Sequence, residues 1–93
     1  REAAKDSDVL ATDTWVSLGQ ESQKEKRMRD FKGYTIDSHM LGLAKPDAIV
    51  LHCLPAQRGY EITSEILDSP RCLAFEEAEN RLHTAKALLL SLI

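Results

Sequence analysis

Ninety-three residues make one small domain at most, and a chain of this size buries only roughly 60 to 65% of its unfolded surface, so its core is thin. A hydrophobic content of 43% and a charged content of 29% exclude a disordered or low-complexity chain. Twelve basic against fifteen acidic residues give a net charge of −3, and with few aromatics and no basic stripe nucleic acid is excluded as a partner.

Residues 1–8 read as the polar end of a helix, followed by an apolar run, Val9, Leu10 and Ala11, that predicts a buried strand ending at Thr12 and Asp13. The charged stretch 20–30 places Glu25 and Arg29 at i,i+4 and offers Met28 and Phe31 as apolar contacts, the pattern of a surface helix ended by Gly33. Residues 34–36 suggest a short strand, and 38–43 a short helix closed before Lys45 and Pro46. Residues 48–53 (AIVLHC) are apolar except at their last positions, as in a strand covered on both faces of a parallel sheet. Pro55 stops that strand, 62–67 make a brief helix broken by Pro70, and 72–75 give a third short strand. Glu76, Glu77 and Glu79 then sit where a helix N-terminus favours negative charge, and Ala78, Leu82, Ala85, Leu89 and Leu92 recur at helical spacing. Alternating strands and helices imply an α/β fold, a mostly parallel sheet with helices on both faces, in a single unit spanning 1–93.

The longest apolar stretch, 85–93, is interrupted by Lys86 and Ser91 and falls short of the roughly 20 residues that span a bilayer, so no membrane is implied. Two cysteines, Cys53 and Cys72, are too few for a disulfide scaffold and point to a reduced, cytoplasmic setting. The chain opens without a targeting pattern and in mid-element, as a fragment does. Cys53, Cys72, His52 and His83 lack the spacing of a structural zinc site, no G-x-S-x-G elbow surrounds Ser17, and Gly19, Gly33, Gly42 and Gly59 are too scattered to cradle a nucleotide. His39 and His83 read as exposed polar residues, and Leu88, Leu89 and Leu90 as core or as a contact to further chain.

Ligands of open parallel sheets bind at the carboxyl ends of the strands, which gives weight to Asp13, His52 and Cys53. Each also has a plain structural reading: Asp13 caps the next turn, His52 is a hydrogen-bonded strand-end residue, and Cys53 is a small buried hydrophobe.

The segments TDTWVSLGQE (12–21), HCLP (52–55) with Ala56, Gln57, Arg58 and Gly59 after it, and FEEAENRLH (75–83) resemble the ornithine carbamoyltransferases in content, order and gaps. REAAKDSD (1–8) looks like the helix end before that family's D-T-W strand, so the likeness runs the whole chain and implies the C-terminal part of the ornithine-binding domain. The implied activity is carbamoyl transfer from carbamoyl phosphate to the δ-amine of L-ornithine, giving citrulline and phosphate without metal or organic cofactor. By the same resemblance, Asp13, Ser17 and Leu18 hold ornithine, Cys53 accepts a proton, and Cys53, Leu54 and Arg81 face carbamoyl phosphate. A cation near Cys53, supplied by ornithine, would lower its thiol pKa. Leu18 stands where the family usually has Met, a volume-conserving change. The resemblance also implies a cis Leu54–Pro55 bond, a missing N-terminal domain carrying the phosphate loop, and a homotrimer in the full-length protein.

Without that resemblance, Arg81 reads as a surface ion pair with Glu77. Alternatives to ornithine transfer are a transcarbamylase for putrescine or acylated ornithine, or a noncatalytic binding or assembly module.

Overall fold

The computed structural model describes all 93 residues. Strands β1 (Val9–Thr12) and β2 (Ile49–His52) are hydrogen-bonded in parallel, with Val9 opposite Ile49 and Thr12 opposite His52. Short apolar runs of this kind bury one side chain in two, and here Leu10 and Val50 face the core while Val9 stays 44% exposed. The expected covering of β2 on both faces is therefore met fully on one only; Ile49 and Leu51, on the other, are half-buried.

Between the strands run α1 (Lys24–Asp30), preceded by a 3-10 turn at Glu21–Gln23, and α2 (Ser38–Leu43). Asp37 caps α2 by accepting the Met40 N–H at 2.8 Å, which gives that helix a sharp start. After β2 come α3 (Ser64–Leu67), capped by Thr63, and the long α4 (Ala74–Leu92) with Glu76 and Glu77 in its first turn. Leu41 of α2 and Ile66 and Leu67 of α3 join Leu10, Val50, Ile36, Ile62 and Ala74 in one core cluster, while α4 runs beside Leu51 on the opposite face of β2.

Further expectations need correction, among them the helix expected at 62–67, which begins only at Ser64 because Ile62 pairs with Ile36 and Thr63 caps α3. Residues 1–8 hold only a 3-10 turn at Glu2–Ala4, because Asp6 turns into the left-handed region (φ 56°) and its N–H donates to the Leu43 carbonyl. The strands expected at 34–36 and 72–75 shrink to single parallel bridges, Ile36 to Ile62 and Cys72 to Val50. Cys72 is extended for one residue before Ala74 enters α4, so helix formation ends the would-be strand. Of the two readings of Leu88, Leu89 and Leu90, core is set aside and a contact to further chain is left: they are 59 to 67% exposed, on a helix buried only at Ala74.

Ile62, fully buried at the centre of the cluster, sets a stability test. In a full-length chain carrying these residues, Ile62→Ala should cost about 2 to 5 kcal/mol by urea unfolding. Leu18→Ala, at a side chain 96% exposed, should stay within about 0.5 kcal/mol.

Candidate functional site

The register of the sheet builds the site. With Thr12 opposite His52, the next residues, Asp13 and Cys53, leave the two strands side by side at their carboxyl ends. The Cys53 thiol donates to Asp13 Oδ1 at 3.0 Å, and the Thr14 N–H donates to the same oxygen at 2.7 Å. Both contacts fall on one oxygen, which leaves Oδ2 open to a further donor. The thiol bond, then the Thr14 N–H, hold the Asp13 carboxyl below its ordinary value. The same bond pushes the Cys53 thiol up, helped by desolvation, by the Asp13 charge and by Glu77. Cys53 is thus an exposed thiol, neither the buried hydrophobe of the plain reading nor a sulfur already drawn toward neutrality.

Beyond Asp13 the chain is anchored and then freed. Trp15 is buried and stacked against Phe31 and Tyr60, with ring centroids at 5.9 and 6.3 Å, and the Arg27 guanidinium donates to its carbonyl at 3.2 Å. The following turn closes where the Gln20 N–H donates to the Ser17 carbonyl at 3.0 Å and Gln20 Oε1 accepts the Ser17 N–H at 3.2 Å. Gly19 supplies the positive φ (84°) that this turn needs, and Leu18 projects into solvent at 96% exposure.

Beyond Cys53 the chain is pinned. The Leu54–Pro55 bond is cis, and Leu54 itself lies in the left-handed region (φ 57°), a conformation that costs a branched residue roughly 1–2 kcal/mol. Its N–H donates to His52 Nδ1 at 2.8 Å. The other ring nitrogen, Nε2, lies 2.7 Å from Glu61 Oε1, which also accepts the Gln57 N–H at 2.8 Å. Both the His52 and Glu61 side chains are wholly removed from solvent.

Asp13, Ser17, Leu18 and Leu54 line one cavity of about 620 Å³, together with Glu21 and Lys24, and Cys53 reaches its rim through Asp13. Arg81 lies apart, exposed in a neighbouring groove with Leu51, Glu77 and Asn80, and forms no ion pair with Glu77. His52 takes the plain reading assigned to it, a hydrogen-bonded strand-end residue. Sequence reasoning missed Glu61, nine residues beyond His52 and at no spacing that marks a pair, and it missed the anchoring role of Trp15 inside a segment already singled out.

A family model described as "Aspartate/ornithine carbamoyltransferase, Asp/Orn binding domain" matches residues 1–92. The chain belongs to the aspartate/ornithine carbamoyltransferase family. Ornithine carbamoyltransferase of Methanosarcina mazei is 57% identical over 91 residues, 98% of this chain and 30% of that protein. The anabolic ornithine carbamoyltransferase of Campylobacter jejuni superposes with a TM-score of 0.90 at 52% identity, over 98% of this chain and 30% of that one. The enzyme of Pyrococcus furiosus does so at 0.86 and 45%, over 95% and 28%. This member of the carbamoyltransferase family therefore spans about 30% of the length of the relatives it matches.

The Asp13 to Cys53 contact predicts the pH response of the thiol. A carboxylate beside sulfur disfavours thiolate, so Asp13→Asn should move the pH midpoint of Cys53 alkylation by iodoacetamide to lower pH and speed the reaction at pH 8. Peptide mass mapping checks this, with buried Cys72 as the unreactive control; an unmoved midpoint would mean the contact does not govern the thiol.

Proposed function

We propose that this chain forms the amino-acid side of an ornithine carbamoyltransferase site, acting within a full-length protein that also supplies a carbamoyl phosphate domain. The observation that carries the proposal is the 3.0 Å contact between an ionised carboxylate and a thiol at the head of a cavity flanked by Ser17 and Leu18. The high identity to proteins named ornithine carbamoyltransferase supports it.

The reaction asks for a diamino acid to be held by its charge and then stripped of it. An alkyl ammonium has a pKa of about 10.4, so presenting the free amine at pH 7 costs about 4.6 kcal/mol. Asp13 holds the ammonium through its open Oδ2, a charge-assisted hydrogen bond. Ser17 and the backbone of Leu18 take the amino-acid end. The arriving cation opposes the carboxylate field that keeps the thiol protonated, so Cys53 releases its own proton to solvent as the substrate enters, and the thiolate left behind accepts a proton from the ammonium. The freed δ-nitrogen attacks the carbonyl carbon of carbamoyl phosphate, the bond from that carbon to the phosphate oxygen breaks, and citrulline and phosphate leave. Arg81 and the Leu54 segment face the carbamoyl phosphate, where a guanidinium stabilises charge gathering on the carbonyl oxygen. Because Arg81 now stands in the adjacent groove, it reaches that position when the second domain closes over the site. The exposed Leu18 loop covers the amino acid in the same movement and excludes water.

The full-length enzyme is proposed to be a cytoplasmic homotrimer of arginine metabolism, without metal or organic cofactor. No helix of this chain is long and apolar enough to cross a membrane.

Formation of the ureido product from carbamoyl phosphate, followed by a colorimetric assay, tests the reading with ornithine, putrescine and N-acetylornithine offered in separate reactions. Ornithine should be preferred; equal or faster turnover of either analogue rejects it, and turnover of none leaves the noncatalytic module. Cys53→Ala should lower kcat about 10²-fold and alter its pH profile. Arg81→Ala should cost about 10² to 10³-fold in kcat/KM for carbamoyl phosphate. An unchanged pH profile for Cys53→Ala removes the sulfur from proton transfer.

A further inference from the structure

The His52 and Glu61 pair takes no part in the chemistry above, yet it is the most deeply buried polar feature of the chain. His52 Nδ1 accepts the Leu54 N–H, so it carries no proton of its own; the ring hydrogen sits on Nε2 and is donated to Glu61 Oε1. The pair is therefore a neutral imidazole held by a carboxylate, and its two ends are specialised. One end locks the ring in a single tautomer and orientation. The other grips the backbone of a residue adjacent to Cys53.

That grip falls where the backbone needs it. Leu54 adopts a left-handed conformation (φ 57°) that a branched residue keeps only when its surroundings impose it. Glu61 adds a second tether, because the oxygen that accepts from His52 also accepts the Gln57 N–H, so one carboxylate secures both flanks of the loop 53–57. The partner oxygen, Oε2, is buried with no hydrogen bond at all. A carboxylate set into the core with half its acceptors empty is poor stability engineering, which favours a geometric role for it.

We infer that His52 and Glu61 are positioning residues: through the Nδ1 to Leu54 N–H bond they hold the Cys53 thiol and the Leu54 backbone at the reacting edge. The inference rests on the ornithine carbamoyltransferase reading for its kinetic consequence but not for its structural one.

Two isosteric variants of the full-length enzyme separate the ends of the ring. In His52→Asn the side-chain oxygen falls where Nδ1 was and can still accept from Leu54, whereas in His52→Gln the amide nitrogen falls where Nε2 was and can still donate to Glu61. The Leu54 amide should exchange with deuterium about five- to ten-fold faster in the Gln variant than in the Asn variant. Scaled to folded enzyme, kcat should fall about a hundred-fold for Gln and less than about five-fold for Asn, with KM values within about three-fold of wild type. Equal exchange rates in the two variants overturn the inference, as do equal losses of kcat or losses that only follow the melting temperature. If wild type makes no citrulline from ornithine while the exchange difference persists, the proposed function fails and the positioning role stands.

Discussion

The parallel register of β1 and β2 is the constraint on which the site depends. Neighbouring strands lie about 4.8 Å apart, so residues leaving opposite each other are within reach of one small molecule. Thr12 opposite His52 delivers Asp13 and Cys53 to one edge, and the two side chains meet at 3.0 Å. A slip of one residue would advance one strand by about 3.3 Å and turn its side chains to the other face, parting carboxylate from thiol and Leu10 from the core at once. Core packing and site geometry are thus set by the same hydrogen bonds. Val50 is completely buried between them, and its N–H and carbonyl continue the ladder to Arg71 and Leu73.

Both strands were legible because their apolar runs are short and uninterrupted, and the site edge followed from reading which polar residues end them. Helix α2 kept its predicted bounds, since Asp37 caps it and the chain turns extended at Ala44. The extended segments at Ile36 and Cys72 were legible as extended but not as bridges of one residue, because period and propensity say nothing about how many partners a segment finds. At Ile62 a helix was expected, and the residue instead pairs with Ile36 before Thr63 opens α3. The stripe Leu82, Leu89 and Leu92 was read correctly as helical, yet it lies 62 to 76% exposed, since periodicity reports a face and not what covers it.

Glu61 illustrates a different kind of illegibility. Nothing local marks an acid between Tyr60 and Ile62 as buried, because its burial follows from where a loop of nine residues returns to the end of β2. The fold gives up two of its fourteen buried positions to His52 and Glu61. In so thin a core, apolar side chains there would add stability, so the polar pair is kept for what it does to Leu54 and Gln57. Trp15 performs the corresponding task on the other strand, fixing the exit of β1 by stacking where His52 fixes the exit of β2 by hydrogen bonding. Each strand thus ends in a firm anchor, and the exposed turn at Ser17 to Gly19 begins only after one of them.

Under the proposed function, charge explains why an amino-acid loop belongs beside this edge. In the free site Asp13 and Cys53 oppose each other's exchange of protons: the thiol lowers the carboxyl, and the carboxylate raises the thiol. An ammonium that enters beside Asp13 acts on both, adding a cationic partner to the carboxylate and cancelling the field that holds the proton on sulfur. Two unit charges 4 Å apart interact by about 1 kcal/mol in water but by about 4 kcal/mol at the dielectric of a protein surface. The open site, with Leu18 turned to solvent, stands near the first regime. Covering it, as the proposed function requires, would move the same charges toward the second, so closure would do more than trap the amino acid. On the proposed reading it would set how strongly occupancy of Asp13 is felt at Cys53, and so when the proton transfer takes place.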